Sequence, residues 1–242
     1  MTDAEGSTLS YVNFRDLGGH ATRSGVVRSG RVFRSDSLAH CTPDDVEHLV
    51  RARGVRTVVD LRRDLEVERA PVESLRAAGV RVEHRSLIDP AVPALTTHDV
   101  EGTLAERYVA ILSSSGAQFV SVVQLIADDA NHPLVFQCAA GKDRTGLVAA
   151  LVLETLGVDD EDIVADYART AAAIDILLAR IAAANPEREP PGPTIMSAEA
   201  STMEATLDWL RATHGGAEEY LFSHGLTAEE TATMRANLVE PA

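Results

Sequence analysis

The sequence has 242 residues, 45% of them hydrophobic, and a formal net charge of −15; a chain of this size buries a substantial core, and a single domain over residues 1–242 is the expectation. The acidic balance excludes a general nucleic-acid binder, which needs a basic face to displace counterions from phosphates, so an anionic substrate would have to be attracted locally. Cys41 and Cys138 form no CxxC pair, which argues against a disulfide framework and a structural zinc site. The absence of a long uncharged apolar run, together with an opening "MTDAEGSTLSYVNF" that lacks signal-peptide character, points to the cytosol and to no membrane span.

In chain order, "GVVRSGRVFRS" reads as two short β-branched strands around Ser29-Gly30, a hairpin signal. "CTPDDVEHLVRARG" has Thr42 as an N-cap, Pro43 at the first helical position, Asp44 and Asp45 near the positive helix end and Gly54 as a stop. "VRTVVDL" (55–61) and "VRVEHRSL" (80–87) are strand candidates on either side of a charged helical stretch broken by Pro71. Residues 101–112 and 117–130 are helical by pattern, the second with Phe119, Val122, Val123 and Ile126 on one face, and "HPLVFQ" is a buried-strand candidate. Alternation of strands and helices predicts an α/β domain with a central, mostly parallel sheet flanked by helices.

Beyond Gly157 the pattern turns helical. "DDEDIVADYARTAAAIDILLARIAAAN" reads as one long alanine-rich helix, broken by the prolines of "PEREPPGP". Ser197 caps a further helix that Gly215-Gly216 would end, and Thr227 caps the last. Residues 158–242 are therefore expected to pack as helices on the sheet, with a helical lid over the site as the sharper option.

The segment that carries chemistry is "FQCAAGKDRTG" (136–146). A strand ending at Gln137, a loop, and a helix from about Thr145 place Cys138 at a helix N-terminus, with the amides of Ala139, Ala140, Gly141 and Lys142 turned inward. Such a loop cradles a phosphate-sized dianion and also stabilises a thiolate. Arg144 offers a planar fork for two phosphoryl oxygens, and Thr145 a hydroxyl to donate to the sulfur when a phosphocysteine is hydrolysed. A Walker A loop shares Gly-Lys but needs a glycine where Phe136 stands and Ser or Thr where Asp143 stands. A cysteine that merely ends a core strand is the bland alternative; the flanking strand and helix, with Gly141, Thr145 and Gly146 in place, favour catalysis.

"CAAGKDRTG" resembles the phosphate loop of cysteine-dependent phosphatases, and its Ala-Gly-Lys-Asp centre is similar to that of the atypical bacterial tyrosine and phosphoinositide phosphatases. "NFRDLGG" (13–19), "RVFRSDSL" (31–38), "VVDLR" (58–62) and "GLVAALVLETLGVDDEDIVADYART" (146–170) resemble that family's segments in the same order. The resemblance implies a cysteine-phosphatase-like fold with additional C-terminal helices, activity on phosphotyrosine and phosphoinositides, and neither metal nor cofactor. It also implies a catalytic role for Asp143 and a lipid-headgroup role for Lys142. Gln137 departs from the family's histidine; a glutamine can orient backbone groups but brings no positive charge to the sulfur.

The general acid stays open between Asp143, Asp89 at the end of "VEHRSLID", and Asp60. For Asp60, pairing with a buried arginine such as Arg15 or Arg62 is the stronger reading. Asn13, Arg15 and Asp16 are read as structural hydrogen-bond formers, and the histidines form no ligand cluster.

Overall fold

The computed structural model describes residues 9–88, 102–184 and 196–241, so Asp89 and the "PEREPPGP" segment lie outside the described residues. The apolar run ahead of Cys138 is the middle strand of a sheet with order β1-β4-β7-β5-β6. These strands are β1 (Arg15–Asp16), β4 (Val32–Ser35), β5 (Thr57–Asp60), β6 (Arg81–His84) and β7 (Leu134–Gln137). β4, β7, β5 and β6 run parallel, and β1 pairs antiparallel with β4.

Both faces of this sheet are buried, which is why the central strands read as continuous apolar runs. The row Phe33, Val135 and Val58 is in register across β4, β7 and β5 and packs with Leu49, Val72 and Leu75. Leu49 lies in the π-type turn that continues α1 (Pro43–Glu47) to Ala52, and Val72 and Leu75 lie at and within α3 (Glu73–Ala77), which follows the less buried α2 (Asp64–Arg69). Val32, Val59, Leu134 and Phe136 point the other way, into the larger core. That core is built by α4 (Leu104–Ser114), α5 (Gly116–Ala127) and α6 (Asp143–Leu156), the last buried along nearly its whole length.

The capping read from sequence at α1 is present: Thr42 Oγ1 accepts from the Asp45 amide, and the Asp45 carboxylate accepts from the Thr42 amide. Gly54 closes that segment at φ +68°, a conformation costly for any residue with a Cβ.

Three expectations are corrected. The Ser29-Gly30 turn does not join a hairpin: β3 (Gly25–Val27) pairs with β2 (Ala21–Thr22) and with β8 (Val239–Pro241) in a second, three-stranded sheet. The Asp16 carboxylate accepts from the amides of Gly18 and Gly30, which turns the chain from one sheet into the other. The alanine-rich stretch is not one helix but α7 (Asp160–Ala168), a 3₁₀ segment over Arg169–Ala173, and α8 (Ile174–Ala184). Asp166, inside α7, and Thr170, in the 3₁₀ segment, both bond to the N-terminal segment across this junction. Ser197 is not the cap of the next helix, which begins at Ala200 with Glu199 before it.

That helix, α9 (Ala200–His214), together with α10 (Ala217–Ser223) and α11 (Ala228–Leu238), packs on α4, α5, α6 and α7 rather than directly on the sheet. Gly215 ends α9, and Thr227 caps α11 through Glu230, as the sequence pattern indicates.

A buried ion lattice fixes the N-terminal segment to α7. Asp166 takes Arg15 Nε on one carboxylate oxygen and Arg34 Nη1 on the other, and its carbonyl takes Arg15 Nη2 at 2.7 Å. Its carboxyl is held from the ordinary 3.8 down to about 2: burial would raise it, and the charges and hydrogen bonds of Arg34 and Arg15 more than reverse that. A carboxylate depressed by folding contributes stability above its unfolded pKa and loses it as pH falls through the folded one. Urea unfolding should therefore show a loss of stability as pH drops from 3.8 towards about 2. Asp166→Asn should erase that share of the pH dependence and cost about 3–5 kcal/mol at pH 7, because two buried guanidiniums lose their counter-charge. A wild-type unfolding midpoint in Asp166→Asn at pH 7 would mean the lattice adds no net stability.

Candidate active site

β4, β7 and β5 end side by side at Ser35, Gln137 and Asp60, so the loops that follow them meet at the carboxyl edge of the sheet, the usual place for a ligand in an open α/β fold. Cys138 follows β7 directly and is buried. α6 begins at Asp143, two residues earlier than the sequence pattern indicates, so Arg144 and Thr145 lie in its first turn.

The loop is held from outside. The carbonyl of Ala139 accepts from the Ser37 amide at 3.2 Å. Those of Ala140 and Gly141 accept from Asn13 Nδ2 at 3.0 Å each, and Gly141 also takes Arg34 Nη2 at 2.8 Å. Because a trans peptide points its N–H opposite to its C=O, outward carbonyls turn the following amides towards the concave side. Among the described residues, the amides of Ala140, Gly141, Asp143 and Arg144 meet no backbone acceptor. Gly141 sits at φ +64°, where an added Cβ would lie 2.6 Å from the Asp36 amide and the Ser35 carbonyl; the loop can lie this close to β4 only with glycine there. Asn13 is itself fixed, its Oδ1 by Arg15 and its amide by the buried Asp36 carboxylate at 2.9 Å. The "NFRD" segment is thus the outer brace of the loop, in keeping with the structural reading of Asn13, Arg15 and Asp16.

Arg144 is oriented by Glu66, which accepts from Nη1 at 2.7 Å and from Nη2 at 3.2 Å. Glu66 also receives the Arg63 amide at 2.9 Å. Burial would raise the Glu66 carboxyl, but Arg144 and Arg63 hold it at about 2. Burial likewise works against a charged Arg144, and its interactions with Cys138 and Glu66 outweigh that and raise the guanidinium above its ordinary value. Sequence reasoning missed Glu66. "RDLE" does carry the three-residue spacing of a helix start, but nothing local in it indicates a bond to a residue 78 positions away.

Asp143 lies beside Arg144 with part of its side chain open to solvent. Its Oδ1 accepts from the Tyr108 hydroxyl at 2.7 Å and lies 3.3 Å from Lys142 Nζ. Lys142 departs from expectation: the side chain is fully buried and its ammonium donates to the Ser197 carbonyl at 3.0 Å. It points inward because a carboxylate and a carbonyl meet its charge there, and this placement does not present it to a lipid headgroup.

Asp60 is engaged by Arg62 on both oxygens, with contacts of 2.7 to 3.2 Å. It is the partner of a buried arginine, and the geometry does not offer it as an acid; Asp89 lies outside the described residues. Thr145 Oγ1 is buried with no hydrogen-bond partner among the described residues, so the expected bond to sulfur is not made in this state. Gly146 lets Tyr167 pack closely, since an added Cβ would sit 3.1 Å from its ring, and its amide donates to the Lys142 carbonyl at 2.7 Å. Ala139 is exposed, whereas Ala140 packs against Ala173, Leu177 and Met196, so the segment containing α8 covers the outside of the loop. Gln137 is buried and its Oε1 accepts from the Leu38 amide at 3.1 Å, an orienting role that needs no charge. Among the described residues, no three His, Cys, Asp or Glu side chains gather as a metal site.

The chain matches the tyrosine phosphatase family over residues 7–240. It is 33% identical over 201 residues to the triple specificity protein phosphatase PtpB of Mycobacterium tuberculosis, an alignment covering 70% of each chain. It is 29% identical over 230 residues to a tyrosine-protein phosphatase of Nostoc commune, covering 90% of this chain and 77% of the other. A cysteine at the floor of a braced amide loop, an arginine fork beside it and a match over nearly the full length lead to one conclusion: the chain belongs to the tyrosine phosphatase family.

Proposed function

We propose that the protein hydrolyses phosphate monoesters, phosphotyrosine first among them, through a phosphocysteine intermediate. The observation that carries this reading is the loop from Cys138 to Arg144, whose carbonyls are held from outside and whose amides at Ala140, Gly141, Asp143 and Arg144 meet no backbone acceptor among the described residues, with Arg144 already aligned by Glu66. In the first step the Cys138 thiolate attacks phosphorus. The bond to the leaving oxygen breaks, and that oxygen takes a proton from Asp143. In the second, Asp143 accepts a proton from water as the water oxygen attacks the phosphocysteine, releasing phosphate and restoring the thiolate. Amides and guanidinium stabilise the equatorial oxygens throughout, at positions fixed before substrate arrives.

Substrate range is part of the same proposal. The mycobacterial relative is named a triple specificity phosphatase, so a panel of phosphotyrosine, phosphoserine and phosphoinositide substrates measures how far the activity extends. The inward Lys142 gives no support to headgroup recognition by that residue. A nucleophilic thiol, with both cysteines unpaired, also suits a reducing compartment such as the cytosol.

Cys138→Ser should lose at least ~10³-fold in turnover of para-nitrophenyl phosphate while still binding vanadate, since the amides and Arg144 remain; EDTA should leave the wild type unaffected. Activity retained in Cys138→Ser would sink the covalent mechanism. Glu66→Gln should lower kcat/KM by about 10- to 100-fold, because a fork released from its partner samples unproductive positions. An unchanged kcat/KM would show that substrate alone aligns Arg144.

A further inference from the structure

The acid–base residue is placed by a buried pair of tyrosines that the phosphate loop does not contain. Tyr108 projects from α4 and Tyr167 from α7; both are buried, with ring centroids 6.1 Å apart and an edge-on interplanar angle of 87°. Their hydroxyls lie 2.8 Å apart, and that of Tyr108 lies 2.7 Å from Asp143 Oδ1. Burial raises both phenols, with the charge of Asp143 acting in the same direction, so both remain protonated.

A phenol has one hydrogen to donate. With the Tyr108 proton committed to Asp143, its oxygen accepts from Tyr167, and the chain has one direction, from Tyr167 through Tyr108 to Asp143. Each donor in such a chain strengthens the next. Tyr167 is itself seated by contact: its ring lies against Gly146, where a Cβ would approach to 3.1 Å. Its neighbour Asp166 is tied to Arg15 and Arg34.

We propose that Tyr108, backed by Tyr167, is the positioning residue of the acid–base step. It fixes Asp143 Oδ1 and thereby leaves Oδ2 as the oxygen that gives the proton to the leaving group and takes it back from water. This rests on the reading of Asp143 as the general acid. Lys142 Nζ, 3.3 Å from the same Oδ1, holds that oxygen by charge, whereas the shorter Tyr108 hydroxyl bond fixes its direction; a misaligned acid loses rate without losing substrate affinity. The consequence is chemical rather than structural. Esters with poor leaving groups depend on protonation, and esters with good ones do not.

The test compares phenyl phosphate with para-nitrophenyl phosphate in Asp143→Asn, Tyr108→Phe, Tyr167→Phe and the Asp143→Asn, Tyr108→Phe double variant, with thermal unfolding confirming that each is folded. Tyr108→Phe should lose about 10-fold in kcat on phenyl phosphate and less than about 2-fold on para-nitrophenyl phosphate, with KM nearly constant on both, a fraction of the roughly 10²-fold or more that a general acid contributes. Tyr167→Phe should shift in the same direction by less. In the Asp143→Asn background, Tyr108→Phe should add almost nothing, as expected of residues acting as one unit. Equal losses on the two esters, or full additivity in the double variant while Asp143→Asn retains its own leaving-group dependence, would overturn the positioning role alone. An Asp143→Asn enzyme that slows both esters alike would instead remove Asp143 as the acid, and the tyrosine proposal with it. Should Tyr108→Phe not fold, the Tyr167→Phe result decides by the same criterion.

Discussion

The buried carboxylate of Asp166 is the contact on which the rest of the active edge depends. It collects Arg15 and Arg34, one on each oxygen; Arg34 reaches on to the Gly141 carbonyl and Arg15 to Asn13, which holds the Ala140 and Gly141 carbonyls. Removing two guanidiniums from water is expensive, and the cost is offset only through well-placed acceptors; among the described residues Arg34 Nε finds none, so its two Nη atoms carry the pairing. Beyond the Asp166 carboxylate, Arg34 finds the Gly141 carbonyl of the phosphate loop, and Arg15 finds both oxygens of Asn13 and the Asp166 carbonyl. The same electrostatic requirement that satisfies the arginines therefore fixes which way the loop peptides face, and the concave run of amides follows from it.

An overall charge of −15 makes the site a local exception in an acidic molecule. Long-range steering of a phosphate ester is not available to such a protein, and attraction begins only near the loop, where Arg144 and the open helix terminus act at short range. Arg144 brings its own counter-ion in Glu66, so its charge is partly compensated before substrate binds. A phosphate entering the loop is then met by a fork already rigid and by amides that need no reorganisation, at the cost of sharing the guanidinium with a carboxylate.

Much of this was legible in the sequence because it is encoded locally. The cysteine-to-arginine spacing, the glycine at position 141, the capping of α1 through Thr42 and Asp45 and the apolar runs of β5 and β7 each depend on residues within a few positions of one another. What was missed depends on distance. Glu66 finds Arg144 only once β5 and β7 are neighbours. The direction of Lys142 is decided by the Ser197 carbonyl, which arrives from another part of the chain. The alanine-rich stretch has the composition of one helix, yet it changes to a 3₁₀ segment over Arg169–Ala173, where buried Thr170 meets Asn13 from the N-terminal segment. The Ser29-Gly30 turn looked like a hairpin because the residues on both sides are β-branched; the competing partners, β8 for β3 and β7 for β4, cannot be seen from the turn itself.

The small sheet that joins β3 to β8 has a bearing on how the molecule is made. Gly25 lies so close to β8 that a Cβ would overlap the Glu240 carbonyl, and the Arg28 amide bonds to Leu238. These pairings join segments far apart in the sequence, and closing so large a loop is slow and entropically costly until the intervening core exists to hold the two segments near each other. During synthesis on the ribosome, β2 and β3 can pair with each other as they emerge, but the other edge of β3 has no partner until β8 has followed. For that interval an unpaired strand edge is exposed, a state in which chains associate with one another or with chaperones. Closure of the small sheet thus follows the order in which its segments appear, and the β2–β3 hairpin waits for β8.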